Sequence, residues 1–144
     1  MMQAMEQEQY VEFSLGSEPY ALPIQDIHEI IKMQSITRLP QAQSYMKGVI
    51  NIRGYIIPIV SLCLLFGLPE EAVTKATRII IVRLGEETVG MIVDRVNKVT
   101  RFTDIQPPPE QLGSVSSNCL SGIGFSPTGL IGILSLNGMF QEYH

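Results

Sequence analysis

Tryptophan is missing from this 144-residue chain, histidine and cysteine occur twice each, and Lys plus Arg number 10 against 14 acidic residues. Each shortage excludes something. With only His28 and the terminal His144, a Ser/His/Asp or Cys/His arrangement would rest on His28 alone, and that residue, beside Glu29 in an isoleucine-rich stretch, reads as a surface position. Cys63 and Cys119 are far apart and form no C-x-x-C, so there is no zinc pattern. They read as free buried thiols of a reducing compartment, with a disulfide as the alternative. A net charge of −4 without a basic cluster argues against nucleic acid and anionic membrane as partners. The glycines at 122, 124, 129 and 132 lack the Lys-Ser/Thr that completes a phosphate cradle. Asp26, Glu29, Asp94 and Asp104 are scattered, with no spacing that pairs two of them for acid–base work. A chain this short of reactive groups is expected to act by binding, without a metal or cofactor.

A membrane span is also missing. Fourteen of the twenty residues in Val49–Leu68 are apolar, but Asn51, Arg53, Gly54 and Pro58 interrupt them and would be costly in a bilayer. Two short strands around an Arg-Gly turn, followed by a turn of helix, explain the segment better. The opening MMQAMEQEQ has neither a positive region nor an apolar core, so it is expected to be a frayed tail and not a secretory signal. An apolar content of 45% in 144 residues supports one folded, soluble domain.

What the chain does have is a duplication. VEFSLGSEPYALPIQDIHEI (11–30) lies on IIVRLGEETVGMIVDRVNKV (80–99) without a gap at an offset of 69. MKGVINIRGYIIPIVSL (46–62) lies on LSGIGFSPTGLIGILSL (120–136) at an offset of 74. Identities are few, yet most apolar positions coincide, among them Ile27 with Val96 and Ile30 with Val99. The period is too long for a solenoid. It implies two similar modules, roughly 10–70 and 77–140 with 68–76 connecting them, packed along a seam where a partner could bind.

Tyr10–Leu15 alternates apolar and polar residues as a half-buried strand does. Further strands are expected at Tyr20–Ile24, Val49–Ile52, Tyr55–Val60, Thr77–Leu84, Thr88–Val93, Val96–Phe102, Leu120–Phe125 and Leu130–Leu136, with Thr77–Leu84 almost wholly apolar and so central. Between Ile24 and Met33 both periods fit, which predicts a turn of helix passing into a strand. A short helix is expected over Gln41–Met46, and helical turns over Leu62–Phe66 capped by Gly67. Pro107-Pro108-Pro109 ends regular structure, and 110–118 reads as an exposed loop. Some ten short strands with few helical signals suggest an all-β protein, as paired barrels or a sandwich. Within it, Arg53 sits at a tight turn between two very apolar strands and needs an acidic partner, for which Glu29 is the candidate.

The succession LG-x-E-x-YALPI-x-x-I-x-EI (15–30), TRLP (37–40), KGVINIRGYIIPIV (47–60), FGL (66–68), TRIIIV (77–82) and VGMIVDRVNKV (89–99) resembles the CheW-like coupling proteins of bacterial chemotaxis. The similarity continues through Ile105-x-Pro107-x-Pro109 and the glycines of 120–136, covering nearly the whole chain. The resemblance implies two packed, five-stranded SH3-like β-barrels sharing a hydrophobic seam, with a few short helices. It also implies a non-enzymatic scaffold between chemoreceptors and a histidine autokinase, cytoplasmic and peripheral to membrane receptor arrays. The partners would be the helical hairpin of the receptor's cytoplasmic tip and the kinase's regulatory domain, without nucleic acid or membrane insertion. Carried over by position, the receptor-binding residues would be Ile24, Ile27, Glu29, Gly48, Arg53, Ile56, Val96 and Val99; no motif assigns the kinase-facing surface. Ser61 departs from the family pattern, where an aspartate often stands, and with no receiver domain after the module the chain is expected to be a free coupler. An adaptor of a related twitching or surface-sensing pathway is the neighbouring alternative. A small-ligand-binding β-barrel is the more distant one, and a buried carboxylate with a perturbed pKa beside a pocket would mark it.

Overall fold

The computed structural model describes residues 8–143 apart from 41–42, 113–114 and 128. The tail at 1–7, His144 and part of the expected 41–46 helix and 110–118 loop therefore lie outside the described residues. β1 (Tyr10–Leu15) and β2 (Glu18–Pro23) lead through a 3-10 turn (Ile24–Asp26) into β3 (Ile27–Lys32). Then come β4 (Met46–Ile52), β5 (Tyr55–Ser61) and the single-turn helix α1 (Leu62–Leu65). The second half repeats this order with β6 (Arg78–Leu84), β7 (Glu87–Val93), β8 (Arg95–Thr100) and the short β9 (Ile105–Gln106). A small hairpin, β10 (Gln111–Leu112) and β11 (Val115–Ser116), is followed by a 3-10 turn (Ser117–Cys119). β12 (Leu120–Ser126), β13 (Gly129–Leu134) and α2 (Leu136–Tyr143) complete the chain.

The two Leu-Gly pairs explain the first hairpin of each half. Leu15 pairs with Glu18 and Leu84 with Glu87, leaving two-residue loops whose first residues, Gly16 and Gly85, both have φ 63°. Glycine reaches that region without steric cost, and the resulting loop matches strand twist.

One sheet has the order β8-β1-β2-β13-β12-β9 and the other β3-β6-β7-β5-β4. The first hairpin of each half thus stands in the sheet formed by the later strands of the other half: β6–β7 with β3, β4 and β5, and β1–β2 with β8, β9, β12 and β13. A 3-10 turn redirects the chain after β2 without reversing it, and a single residue, Asp94, separates β7 from β8. The one-residue link is too short for a hairpin, and the 3-10 turn delivers β3 onto β6 instead of back onto β2. The two barrels therefore do not divide the chain at 68–76. One, here the inserted barrel, is built from β3 to β7; the split barrel around it takes its strands from 10–23 and 95–134. The repeated halves are units of duplication, not separate folding units.

The equivalence reaches individual residue pairs. Ile30 opposite Ile80 corresponds to Val99 opposite Val11, and the parallel pair Ile59–Gly90 to Ile133–Ala21. Thr37 bridges Val49 as Gln106 pairs with Ile123; each contact joins the two ends of its sheet and closes a barrel. β8 and β9 are thus two parts of one bent strand, which is why the split barrel counts six. Irregularities repeat as well: His28 and Asn97 are extra residues in equivalent bulges, as are Lys47 and Ser121.

The seam holds the largest core cluster. Phe13, Leu15, Tyr20 and Leu22 of the split barrel meet Val60, Ile80, Val82, Met91 and Val93 of the inserted one, with Leu62 and Leu136 from the helices. The inserted barrel's interior is almost entirely isoleucine (Ile50, Ile52, Ile57, Ile59, Ile79, Ile81, Ile92), whereas the split barrel encloses Tyr10, Ala21, Phe102, Ile131 and Ile133. Each such side chain contributes about 1.5–3 kcal/mol on burial.

Three expectations need correction. Residues 43–45 form no helix: Met46 N–H donates to Gln43 O in a turn, Ser61 N–H to Tyr45 O, and Met46 already pairs with Val60. Sheet pairing outcompetes a short helix there. The 110–118 stretch contains β10 and β11, and Val115 is fully buried in the seam. The last strand stops at Leu134, and Leu136 begins α2, whose Gly138 obscured the helical pattern. That glycine permits close packing, since a Cβ there would stand 1.7 Å from Asn118 O.

Gly48 and Gly16 make a contrasting pair. A Cβ on Gly48 would lie 2.1 Å from Thr37 O, at φ +142°, whereas one on Gly16 would meet nothing within 4 Å. Gly48→Ala is expected to cost about 3 kcal/mol or more through the clash at the barrel closure, and Gly16→Ala about 1–2 kcal/mol from φ alone. Urea denaturation of the two variants measures the difference; equal midpoints would contradict this role of Gly48.

Candidate functional site

The β4–β5 hairpin closes over two residues, Arg53 and Gly54, with φ 51° and 88°. Arg53 is the only non-glycine with positive φ among the described residues. Asn51 Oδ1 accepts from Gly54 N–H at 3.0 Å and helps hold the turn. An arginine at a position that favours glycine or asparagine is unfavourable by about 1 kcal/mol, the kind of strain that gathers at functional sites. Its guanidinium meets the expected partner: Arg53 Nη2 donates to Glu29 Oε1 at 2.7 Å.

Glu29 is placed by the bulge at His28. Ile27 pairs with Val82 and Ile30 with Ile80, both seam residues, while Glu29 pairs with Ile81 on the barrel-interior side. The bulge thus lets one short strand send Ile27 and Ile30 towards the seam and Glu29 towards the hairpin. Arg53 donating to the charged form holds the Glu29 carboxyl below its usual range, and Glu29 reciprocally raises Arg53. Arg53 is exposed and Glu29 half-buried at the surface, so the pair orients side chains more than it stabilises the fold.

The candidate residues separate into two sets. Glu29, Arg53 and Ile56 line one cavity of about 590 Å³ at the open end of the inserted barrel. Ile27 on β3 and its equivalent Val96 on β8 are half-buried and pack against the seam core. Further along the same two strands Ile30 and Val99 are exposed, Val99 at 52%, and Ile24 is 41% exposed at the entry to β3. Gly48 stands apart: it is buried and shapes the barrel closure without offering a surface. Sequence reasoning missed Tyr55 and Arg83, which also line the cavity. Period-two alternation could have found Arg83, because it follows Ile79 and Ile81 on the interior-facing row of β6.

Other polar groups serve the fold. Ser61 Oγ accepts from Leu64 N–H at 3.3 Å and caps α1, and its equivalent Ser135 accepts from Gly138 N–H at 3.2 Å in α2. Serine therefore fills the capping place where an aspartate was the family expectation. Asp94, at the crossing between barrels, accepts from Gly16 N–H and from the Cys63 thiol. Burial and then Asp94 push Cys63 up to about 12, and both cysteines are buried with neither in a disulfide. Among the described residues no helix is long and apolar enough to cross a membrane.

Two interlocked SH3-like barrels with a shared apolar seam, half-covered apolar strands and a strained Arg–Glu hairpin define a binding module. The CheW-like domain model matches residues 9–144, and the chain belongs to that family of non-catalytic chemotaxis scaffolds. The chain is 39% identical over 136 residues to the chemotaxis protein CheW of Helicobacter pylori, covering 93% of this chain and 82% of that one. The crystal structure of the scaffolding protein TtCheW from Thermoanaerobacter tengcongensis is similar with a TM-score of 0.87 at 36% identity, covering 94% of this chain and 88% of that one. Protein PilI of Pseudomonas aeruginosa is 30% identical over 103 residues, 68% of this chain and 58% of its own.

Two outcomes follow. Arg53→Asn relaxes the turn while removing the ion pair, so its urea midpoint at neutral pH should equal or exceed wild type. Because Glu29 is depressed, the pair contributes above the usual carboxylate range and is lost as pH falls through the depressed value; the variant's relative stability should therefore rise further in acid. A variant markedly less stable than wild type at neutral pH would contradict the strain assigned to Arg53. A disulfide-exchange reagent near pH 8 should leave both thiols untouched in the native state and titrate both in denaturant, since a thiol near 12 is roughly one part in ten thousand thiolate there.

Proposed function

We propose that the chain works as one unit that bridges chemoreceptors and a histidine autokinase, holding the receptor's cytoplasmic helical hairpin against its β3 and β8 strands and the Arg53 hairpin. Ile24, Ile27, Glu29, Arg53, Ile56, Val96 and Val99 make the contacts, with Gly48 supporting them from behind. The observation that carries the reading is the equivalence of β3 and β8. Each strand turns one half-buried apolar side chain, Ile27 or Val96, onto the seam and leaves the next, Ile30 or Val99, open to solvent. An amphipathic helix suits such a surface, since its apolar stripe can cover residues spaced along a strand. The kinase's regulatory domain is the second partner, and the complex sits on the cytoplasmic side of receptor arrays. Each contact is of weak to moderate affinity, strengthened when many couplers assemble together. The cavity at the inserted barrel supports protein binding over a small-ligand barrel: Glu29 in it is only half-buried, and the hydrogen bond from Arg53 outweighs desolvation and holds its carboxyl down.

Pull-downs against a receptor-tip fragment and the kinase regulatory domain, separately and together, test the bridge. Ile27→Asp is expected to weaken receptor binding or folding by about 1–3 kcal/mol. Val99→Asp, at an exposed position, should weaken receptor binding while leaving the urea midpoint unchanged. Arg53→Ala should reduce receptor-coupled kinase activation more than it reduces stability. Unchanged receptor titrations for all three variants would place the binding surface elsewhere.

A further inference from the structure

The open ends of the two barrels follow one strand plan but differ in chemistry. In the inserted barrel Ile52, Ile57 and Ile81 wall the cavity of about 590 Å³, and Tyr55 and Ile56 stand at its rim, 74% and 62% exposed. On β6 the interior row runs Ile79, Ile81, Arg83, so the arginine's aliphatic stem continues the apolar wall and its guanidinium emerges at the mouth. In the split barrel the equivalents of Ile81, Arg83 and His28 are Glu12, Ser14 and Asn97. There Asn97 Nδ2 donates to Glu12 Oε2 at 3.2 Å and to Ser14 Oγ at 3.0 Å. One end is tied together by its own side chains, and the other is an apolar recess with a cation at its mouth.

The cavity's charges are not equally engaged. Arg53 is committed to Glu29 at 2.7 Å. Arg83 has no ion pair or hydrogen bond through its side chain among the described residues. Glu86, the other unpaired charge lining the mouth, lies in the two-residue loop after β6 and so at the rim, not on the interior row. A free guanidinium beside exposed Tyr55 and Ile56 matches a partner surface that offers a carboxylate flanked by apolar side chains. The guanidinium's fork suits a carboxylate better than any neutral acceptor.

Resting on the bridging role proposed above, we infer that Arg83 is a specificity-determining residue for the receptor hairpin: it reads an acidic side chain of the bound helix whose apolar neighbours cover Tyr55 and Ile56. The Glu29–Arg53 pair fixes the hairpin that presents these two residues, and Arg83 supplies the charge that sets the helix's register. Glu86 at the rim disfavours a second acid nearby, narrowing the arrangement accepted.

Fluorescence anisotropy with a labelled receptor-tip hairpin tests this at low and high salt, using full-length protein. Arg83→Glu should bind about tenfold or more weakly at low salt, Arg83→Gln should fall in between, and the differences should shrink at high salt. Lys75→Glu, the same charge change in the connecting segment, should stay within about twofold of wild type. Changing one acidic residue of the fragment to Lys should restore binding to Arg83→Glu and not to wild type. Arg83→Glu binding within twofold of wild type at both salts, while Val99→Asp binds weakly, would overturn the role of Arg83 and leave the receptor reading standing. A loss seen only with the kinase domain would overturn the assignment to the receptor. A wild-type protein that ignores the hairpin altogether would overturn the receptor reading and this inference with it.

Discussion

The exchange of the first hairpin between the two halves of the chain is the constraint on which the rest depends. β3 is hydrogen-bonded along β6 and β8 along β1, so neither barrel can be completed by its own half of the chain. The seam that this exchange brings together is the largest apolar cluster in the molecule. Pulling the two halves of the chain apart would break four strand ladders, β3–β6 and β5–β7 in one barrel and β1–β8 and β2–β13 in the other, and expose that cluster at once, a cost far beyond the usual net stability of a domain. The scaffold can therefore hold β3 and β8 at a fixed relation, which a bridge between two large partners needs.

Function grows from the same device. The strand that follows each first hairpin, β3 or β8, pairs with the first strand of the other half's hairpin, β6 or β1, and turns apolar side chains towards the seam. A single-residue bulge then aims its side chains, and the bulges at His28 and Asn97 do this equivalently in the two halves. The halves diverge at the barrel ends, where isoleucine and arginine in one replace the glutamate, serine and asparagine of the other. Duplication made the frame, and substitution at a few equivalent positions gave each barrel its own surface.

Much of this was legible in the amino-acid order. Period-two alternation located β1, short apolar runs between turn residues located β5, β6 and β7 to within a residue or two, and the ambiguity at Ile24–Met33 resolved into the turn and strand it implied. Glu29 was identifiable as the partner of Arg53 because a cation at an apolar turn demands an acid. The hairpin exchange was not legible, since nothing in a strand's own residues states which sheet it will join; that depends on the 3-10 turn after β2 and the single residue after β7. α2 was hidden by Gly138, whose packing against Asn118 is a tertiary reason invisible to local propensity. Arg83 was passed over because an isolated arginine after an apolar strand looks like ordinary surface charge until the barrel closes around its stem.

The most direct test of the binding surface is amide chemical-shift mapping of isotope-labelled protein titrated with an unlabelled receptor-tip hairpin. The account predicts perturbations concentrated on β3, β8 and the Arg53–Ile56 hairpin, with the β12–β13 turn and the 68–76 connection unchanged. Shifts confined to those two latter segments, with β3 and β8 silent, would contradict it.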